Sequence, residues 1–174
     1  MKRWLAIVPL AVLAALAALF AARLHKGADP HYTPDALVGK PLPDSILPPL
    51  AGGAPVRLRG QAPPATLVNF FASWCGPCIE EAPTLMALKA QGVRIVGVAW
   101  KDDPARTKAL LGQVGDPYQT VLVDRDGKAG LDFGVSGVPE TFLVGADGKI
   151  LAKEAVPLTP DSAERLLEKG DGAR

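Results

Sequence analysis

The sequence is short of cysteine and histidine, and these shortages exclude several kinds of site. Among 174 residues there are two cysteines and two histidines. Both histidines, His25 and His31, lie near the N-terminus, so a zinc site with about four ligands is not expected in the rest of the chain. A disulfide-stapled miniprotein is excluded as well, because such domains are short and rich in cysteine.

The chain also has no excess of charge of either sign. It carries 19 Lys and Arg against 18 Asp and Glu, a formal net charge of +1. Nucleic-acid binding needs a clustered basic surface, so no nucleic acid is expected as a partner. With 48% hydrophobic residues, the chain is long enough for one globular domain with a core.

One long apolar run lies close to the N-terminus. Residues 5–22 contain no charged side chain, and as a helix these 18 residues would span roughly 27 Å, close to the hydrocarbon thickness of a bilayer. Basic residues flank both ends of the run, namely Lys2, Arg3, Arg23 and Lys26. We interpret residues 1–27 as a single-pass membrane anchor. A cleaved secretory signal is the alternative, and either version places the remaining chain outside the cytoplasm if the N-terminus stays inside.

Proline marks the next segment. Nine of the 17 prolines lie between residues 23 and 64, a composition that suits an extended tether followed by loops. We predict a tether over residues 28–38, an ordered domain over 39–169 and a flexible tail over 170–174.

The pattern within the ordered domain alternates between strand and helix. Apolar runs predict strands at 56–58, 67–71, 93–99, 120–123, 141–144 and 149–156, with turns at 124–127 and 146–148. Helices are predicted at 77–90, 104–114 and 159–169. This order indicates an α/β fold with a central mixed sheet flanked by helices.

The two cysteines form a Cys-x-x-Cys pair where a buried strand gives way to a helix. Cys75 precedes the helix, whose free N–H groups and dipole favour a thiolate there, so we expect a nucleophile. Cys78 lies one turn further on, at a spacing that suits a disulfide and resolution of a mixed disulfide. Gly76 leaves room for a substrate chain, and Pro77 fits the first helical turn.

The pair has three alternative interpretations. Half of a zinc site lacks further ligands, and c-type haem attachment would need histidine at position 79, where Ile79 stands. A static structural disulfide stays open at this point.

The segment Trp74-Cys75-Gly76-Pro77-Cys78, with Pro83 further along the helix, resembles the thioredoxin superfamily. Residues 134–144, which contain Gly-Val-Pro-Glu-Thr, and Lys101-Asp102-Asp103 narrow the resemblance to the membrane-anchored DsbE/CcmG thiol-disulfide proteins of bacterial cytochrome c maturation. The resemblance covers residues 39–169 and the anchor. It implies a thioredoxin-like fold with an N-terminal transmembrane helix.

The resemblance also assigns supporting residues. The Val138-Pro139 bond would be the family's cis-proline bond, which presents the Val138 backbone to an extended substrate segment. Asn69 stands where cytosolic thioredoxins carry a buried carboxylate, so proton handling for Cys78 must come from elsewhere.

Glu81 and Glu140 are the candidates for that proton handling, with a solvated surface acid as the alternative for Glu81. Trp74 is expected on the docking surface, with packing beneath the disulfide as the alternative, and Lys101 is expected as a solvated charge at a strand end.

The implied activity is that of a protein thiol-disulfide oxidoreductase with no cofactor beyond the Cys75/Cys78 pair. By resemblance, it is a reductant in the periplasm, anchored in the bacterial inner membrane. Its partners would be apocytochrome c, through the CxxCH haem-attachment site, or haem-handling maturation proteins, with a DsbD/CcdA-like transmembrane thiol reductase as electron donor. The alternatives are a broader-specificity TlpA/ResA-like reductase, a binding or chaperone module without turnover, and a structural anchor protein.

Overall fold

The computed structural model describes residues 4–25, 36–62 and 66–171 of the chain, which divides into two compact units, residues 1–32 and 33–174. The first unit contains helix α1, Trp4–His25. Within the described parts of the chain, no helix is both long enough and apolar enough to cross a membrane. Most of the predicted tether, residues 28–35, lies outside the described residues.

The second unit contains seven strands and five helices among its described residues. In chain order they are β1 (Ile46–Leu47), β2 (Val56–Arg57), α2 (Leu58–Gln61), β3 (Thr66–Phe71), α3 (Gly76–Ala90), β4 (Arg94–Trp100), α4 (Pro104–Val114), β5 (Thr120–Asp124), α5 (Lys128–Asp132), β6 (Glu140–Val144), β7 (Ile150–Glu154) and α6 (Pro160–Asp171).

Five of these strands form one sheet in the order β5-β4-β3-β6-β7. Strand β3 pairs in parallel with β4, and β4 in parallel with β5. On its other side β3 pairs antiparallel with β6, which pairs antiparallel with β7. The predicted central mixed sheet is therefore confirmed, with β3 at its centre.

All six residues of β3 are buried, because both faces of the sheet are covered. One buried cluster joins alternate sheet residues to α3 and α6; its members include Leu67, Phe71, Leu85, Leu143 and Leu166. The other cluster occupies the opposite face with α2 and α5; its members include Leu58, Val68, Phe70, Phe133 and Phe142. Both cysteines belong to the first cluster.

The structure differs from the sequence prediction in its short elements. The strand predicted at 56–58 ends at Arg57, and α2 begins at the next residue. The turn predicted at 124–127 leads into α5 rather than directly to a strand. The carboxylate of Asp124 accepts the backbone N–H groups of Ala129 and Gly130 at 3.1 and 2.8 Å, which stabilises this short helix.

Two boundaries near the C-terminus also differ. Strand β7 ends at Glu154, before the predicted end at residue 156, and α6 continues to Asp171, past the predicted end at residue 169. The first two residues of the predicted flexible tail are thus helical.

Candidate active site

The two cysteines lie at the junction between β3 and α3 and form a disulfide. Cys75 is the N-cap of α3, and the two Cα atoms are 5.3 Å apart. The Sγ of Cys75 accepts the backbone N–H of Cys78 at 3.1 Å. The residues are only 4% and 6% exposed, so a partner reaches the sulfurs through a narrow opening.

The residues between the cysteines leave that opening clear. A Cβ built on Gly76 would meet no atom within 4 Å, so the space beside it is free for a substrate chain. Pro77 occupies the first turn of α3, where its missing N–H costs nothing because the first amides of a helix have no intrahelical partner.

A cis peptide bond lies against the disulfide. The Val138-Pro139 bond is cis, which confirms the prediction made from the resemblance. The carbonyl oxygen of Val138 lies 3.4 Å from Cys75 Sγ. The Val138 backbone therefore borders the reactive sulfur, where an extended polypeptide could pair with it.

Trp74 forms an exposed surface next to Cys75. It is 55% exposed, and its indole N–H donates to the Lys101 carbonyl at 3.3 Å. Its ring lies 6.2 Å from that of Trp100, and the Lys101 Nζ lies 4.4 Å from the Trp100 ring centre. Lys101 is exposed, as predicted. Its backbone has a φ of 48°, and its carbonyl accepts the Trp74 hydrogen bond.

Asp102 anchors the loop that carries Cys75, a role that the sequence did not reveal. Its carboxylate accepts the backbone N–H and the hydroxyl of Ser73, both at 2.7 Å. It also accepts the Thr107 hydroxyl and the Asp103 N–H, both at 2.8 Å. Burial opposes ionisation, but these hydrogen bonds outweigh it and lower the pKa of Asp102.

Asn69 and Glu81 meet in the core beneath α3. The Asn69 side-chain amide donates to Glu81 Oε1 at 3.0 Å, and Glu81 Oε2 accepts the Leu158 N–H at 2.9 Å. Glu81 is buried rather than a solvated surface acid. Burial raises the pKa of Glu81 to about 7, although the bonds from Leu158 and Asn69 oppose the rise.

Two further residues complete this buried network, and neither was predicted from the sequence. Tyr118 donates its hydroxyl to Asn69 Oδ1 at 2.7 Å, and Asn69 donates to the Thr141 hydroxyl at 3.0 Å. Burial, and secondarily the charge of Glu81, raises the pKa of Tyr118. A glycine within the apolar strand β4, Gly97, was the one available signal, because such a glycine often marks the close approach of another group.

Glu140 lies on the other face of the sheet. It is buried, forms an ion pair with Lys153 of β7, and accepts the Ser136 N–H at 3.1 Å. It shares its strand face with Phe142, which belongs to the cluster opposite α3. These contacts hold the loop before Pro139, so the predicted influence of Glu140 on the thiols stays a prediction.

The sequence matches a known protein family. A family described as Redoxin matches residues 37–167. The chain belongs to the Redoxin family.

Two curated relatives of this Redoxin chain are thiol:disulfide interchange proteins. HelX of Rhodobacter capsulatus is 44% identical over 97% of this chain and 96% of its own length. DsbE of Escherichia coli K12 is 39% identical over 92% of this chain and 89% of its own length.

A solved structure supports the fold. It is that of a secreted Mycobacterium tuberculosis disulfide oxidoreductase homologous to E. coli DsbE, with a TM-score of 0.63 at 22% identity, covering 72% of this chain and 95% of that one. The predicted thioredoxin-like fold and thiol-disulfide oxidoreductase activity are confirmed.

The Cys75/Cys78 pair can carry out thiol-disulfide exchange. The disulfide supplies a two-electron couple, and the Val138 carbonyl lies beside it. In the described ranges, no group of three or more His, Cys, Asp or Glu side chains could hold a metal ion.

Proposed function

We propose that this protein is an extracytoplasmic reductant that opens disulfides in other polypeptides. The observation that carries the proposal is the position of Cys75. Its sulfur lies at a helix N-terminus, is bonded to Cys78, and is 3.4 Å from the Val138 carbonyl beside a cis-proline bond. These features give a nucleophile, a resolving thiol and a polypeptide contact in one place.

The reaction begins from the reduced pair. The Cys75 thiolate attacks one sulfur of the partner's disulfide, forms a mixed disulfide and releases the partner's other sulfur as a thiolate. Cys78, after losing its proton, attacks Cys75 and frees the second partner thiol. The partner gains two electrons and two protons, and the Cys75/Cys78 disulfide closes.

Glu81 accepts the proton that Cys78 gives up. It lies one turn further along α3, at i+3 from Cys78. Because its pKa is raised to about 7, it exchanges protons readily near neutral pH. Asn69 itself carries no titratable group, so Glu81 takes the place of the carboxylate that thioredoxins hold on this strand.

The partner and the compartment follow from the family resemblance. The substrate would be the oxidised CxxCH segment of apocytochrome c or a haem-handling maturation protein. A DsbD/CcdA-like transmembrane thiol reductase would return two electrons to the pair. Residues 1–27 would anchor the chain in the bacterial inner membrane with its catalytic domain in the periplasm, which raises its effective concentration near such partners.

A trapping experiment tests the substrate. The reduced Cys78→Ser variant, which cannot resolve a mixed disulfide, is mixed with an oxidised CxxCH peptide and with the same peptide carrying alanine for histidine. We expect a Cys75-linked adduct that forms at least about tenfold faster with the histidine peptide, corresponding to about 1.4 kcal/mol of discrimination. The Cys75→Ser variant is the control and should form no adduct through Cys75.

The other outcomes separate the alternatives. Equal trapping of both peptides indicates a reductase of broader specificity. Full activity of the Cys78→Ser variant in an assay for binding or chaperone function, together with no reduction of either peptide by the wild type, contradicts the proposal and favours a binding module.

A further inference from the structure

The buried network around Asn69 contains a tyrosine that touches neither sulfur. Asn69 lies on the central strand β3, opposite Gly97 of β4 and Thr141 of β6. The Tyr118 ring stacks on Phe71, with centroids 4.8 Å apart and planes 23° apart. From this position its hydroxyl reaches the Asn69 side chain.

Gly97 makes that reach possible. A Cβ built on Gly97 would lie 2.9 Å from the Cγ and Cδ1 atoms of Tyr118, too close for the ring to keep its place. Gly97 is the register partner of Asn69 on the neighbouring strand. The Tyr118 ring therefore passes over Gly97 to reach Asn69. The absence of a side chain at Gly97 thus allows the hydrogen bond between Tyr118 and Asn69.

The Tyr118 hydroxyl donates its proton to the oxygen of the Asn69 amide. A hydroxyl that donates its proton must face the amide oxygen, so the amide nitrogen is left to face Glu81 and Thr141. An N–H directed at Glu81 stabilises the carboxylate and not the neutral acid. With the amide turned round, its oxygen would instead accept a proton from neutral Glu81.

We infer that Tyr118 is a positioning residue, which fixes the Asn69 amide so that its N–H group faces Glu81 and favours the ionised carboxylate. The inference rests on the proposed proton exchange between Glu81 and Cys78, because Tyr118 would tune the ionisation of Glu81 in that exchange. Tyr118 acts through Asn69.

The surroundings of Glu81 contain few competing charges. Asn69 and Thr141 are neutral, and Leu158 presents a backbone N–H. Glu81 and Tyr118 interact electrostatically, and the two cysteines, when reduced, add thiols at the start of the same helix. Asp116 acts on Tyr118 rather than on Glu81, and the Glu140 and Lys153 pair occupies the other sheet face.

The test measures the ionisation of Glu81 by ¹³C NMR of its side-chain carboxyl during a pH titration of the full-length oxidised protein. We expect Tyr118→Phe, which removes only the hydroxyl, to raise the midpoint by about 1 pH unit, comparable to the loss of one buried hydrogen bond. Gly97→Ala keeps the hydroxyl but displaces the ring, so it should raise the midpoint in the same direction. It also keeps the inference testable if Tyr118→Phe does not fold.

The control is Phe133→Leu, which loosens the opposite core cluster without touching the network and should leave the midpoint unchanged. An unchanged midpoint in the folded tyrosine and glycine variants, or an equal rise in the Phe133 variant, overturns the inference. The titration needs no turnover. A shifted midpoint in a protein that reduces no partner disulfide defeats the proposed function alone, whereas an unshifted midpoint in an active reductase defeats this inference alone.

Discussion

Glu81 makes the stability of the folded protein depend on pH. Its pKa is raised from 4.5 to about 7 on folding, chiefly by burial. Between these values the folded protein keeps a proton that the unfolded chain releases. Stability therefore declines as the pH rises through this window, by roughly 3 kcal/mol for a shift of this size.

Replacement of Glu81 by Gln removes this titration. We expect the free energy of unfolding of Glu81→Gln minus that of the wild type to increase by roughly 3 kcal/mol from pH 4 to pH 8, because only the wild type loses stability over this range. Urea denaturation at both pH values measures it. Other carboxyl groups titrate alike in both proteins and cancel in the difference. A difference that is the same at both pH values contradicts the assignment.

The residues that carry the chemistry were recognisable in the sequence because their signals are local. Cys75 and Cys78 are three positions apart, and Pro139 lies in a short motif. Asp102 and Tyr118 gave no such signal. Their partners Ser73 and Asn69 lie 29 and 49 positions away in the chain, and strand pairing alone brings them together.

At the scale of elements, helix α5 depends on a glycine packed against Trp100. A Cβ built on Gly130 would lie 2.2 Å from the Trp100 Nε1 atom, whereas one built on Gly112 in α4 would meet nothing within 4 Å. The first substitution forces the indole or the helix to move. The second only replaces a glycine in a helix by a better helix former.

We expect Gly130→Ala to lower the free energy of unfolding by about 1 to 3 kcal/mol and Gly112→Ala to raise it by about 0.5 to 1 kcal/mol. Urea denaturation followed by tryptophan fluorescence measures both. Equal effects of the two substitutions would show that Gly130 is not packed against Trp100.

The long elements followed from hydrophobic patterning, and the short ones did not. Strands β3 and β4 agree with prediction to within one residue because each is a continuous apolar run of strand length, and helix α4 agrees because Pro104 marks its start. Helix α5 has five residues, and the carboxylate of Asp124, the last residue of β5, accepts two of its backbone N–H groups. Such a helix has too few turns to show a period.

At the scale of the whole molecule, the α/β class and the mixed sheet were predictable because the order of strands and helices limits the topologies. Burial of Glu81 was not, since an acid near a helix start is usually solvated. It is buried because Leu158, 77 positions away, closes over it and supplies a hydrogen bond.

The proposed reducing role depends on the environment of Cys75 in the reduced pair. Within the described residues, the Cys78 N–H is the one hydrogen-bond donor recorded at its sulfur. A strongly oxidising pair requires a heavily stabilised reduced form, so the potential reports how far the N-terminus of α3 stabilises the Cys75 thiolate.

The reduction potential of the Cys75/Cys78 pair, measured in the full-length protein by equilibration in glutathione or dithiothreitol buffers, tests the central claim most directly. We predict a value between about −180 and −270 mV, in the range of the reducing and intermediate members of the superfamily. A value of about −120 mV, as in the strongest oxidants of the superfamily, would contradict the assignment as a reductant. It would indicate disulfide formation in exported proteins instead.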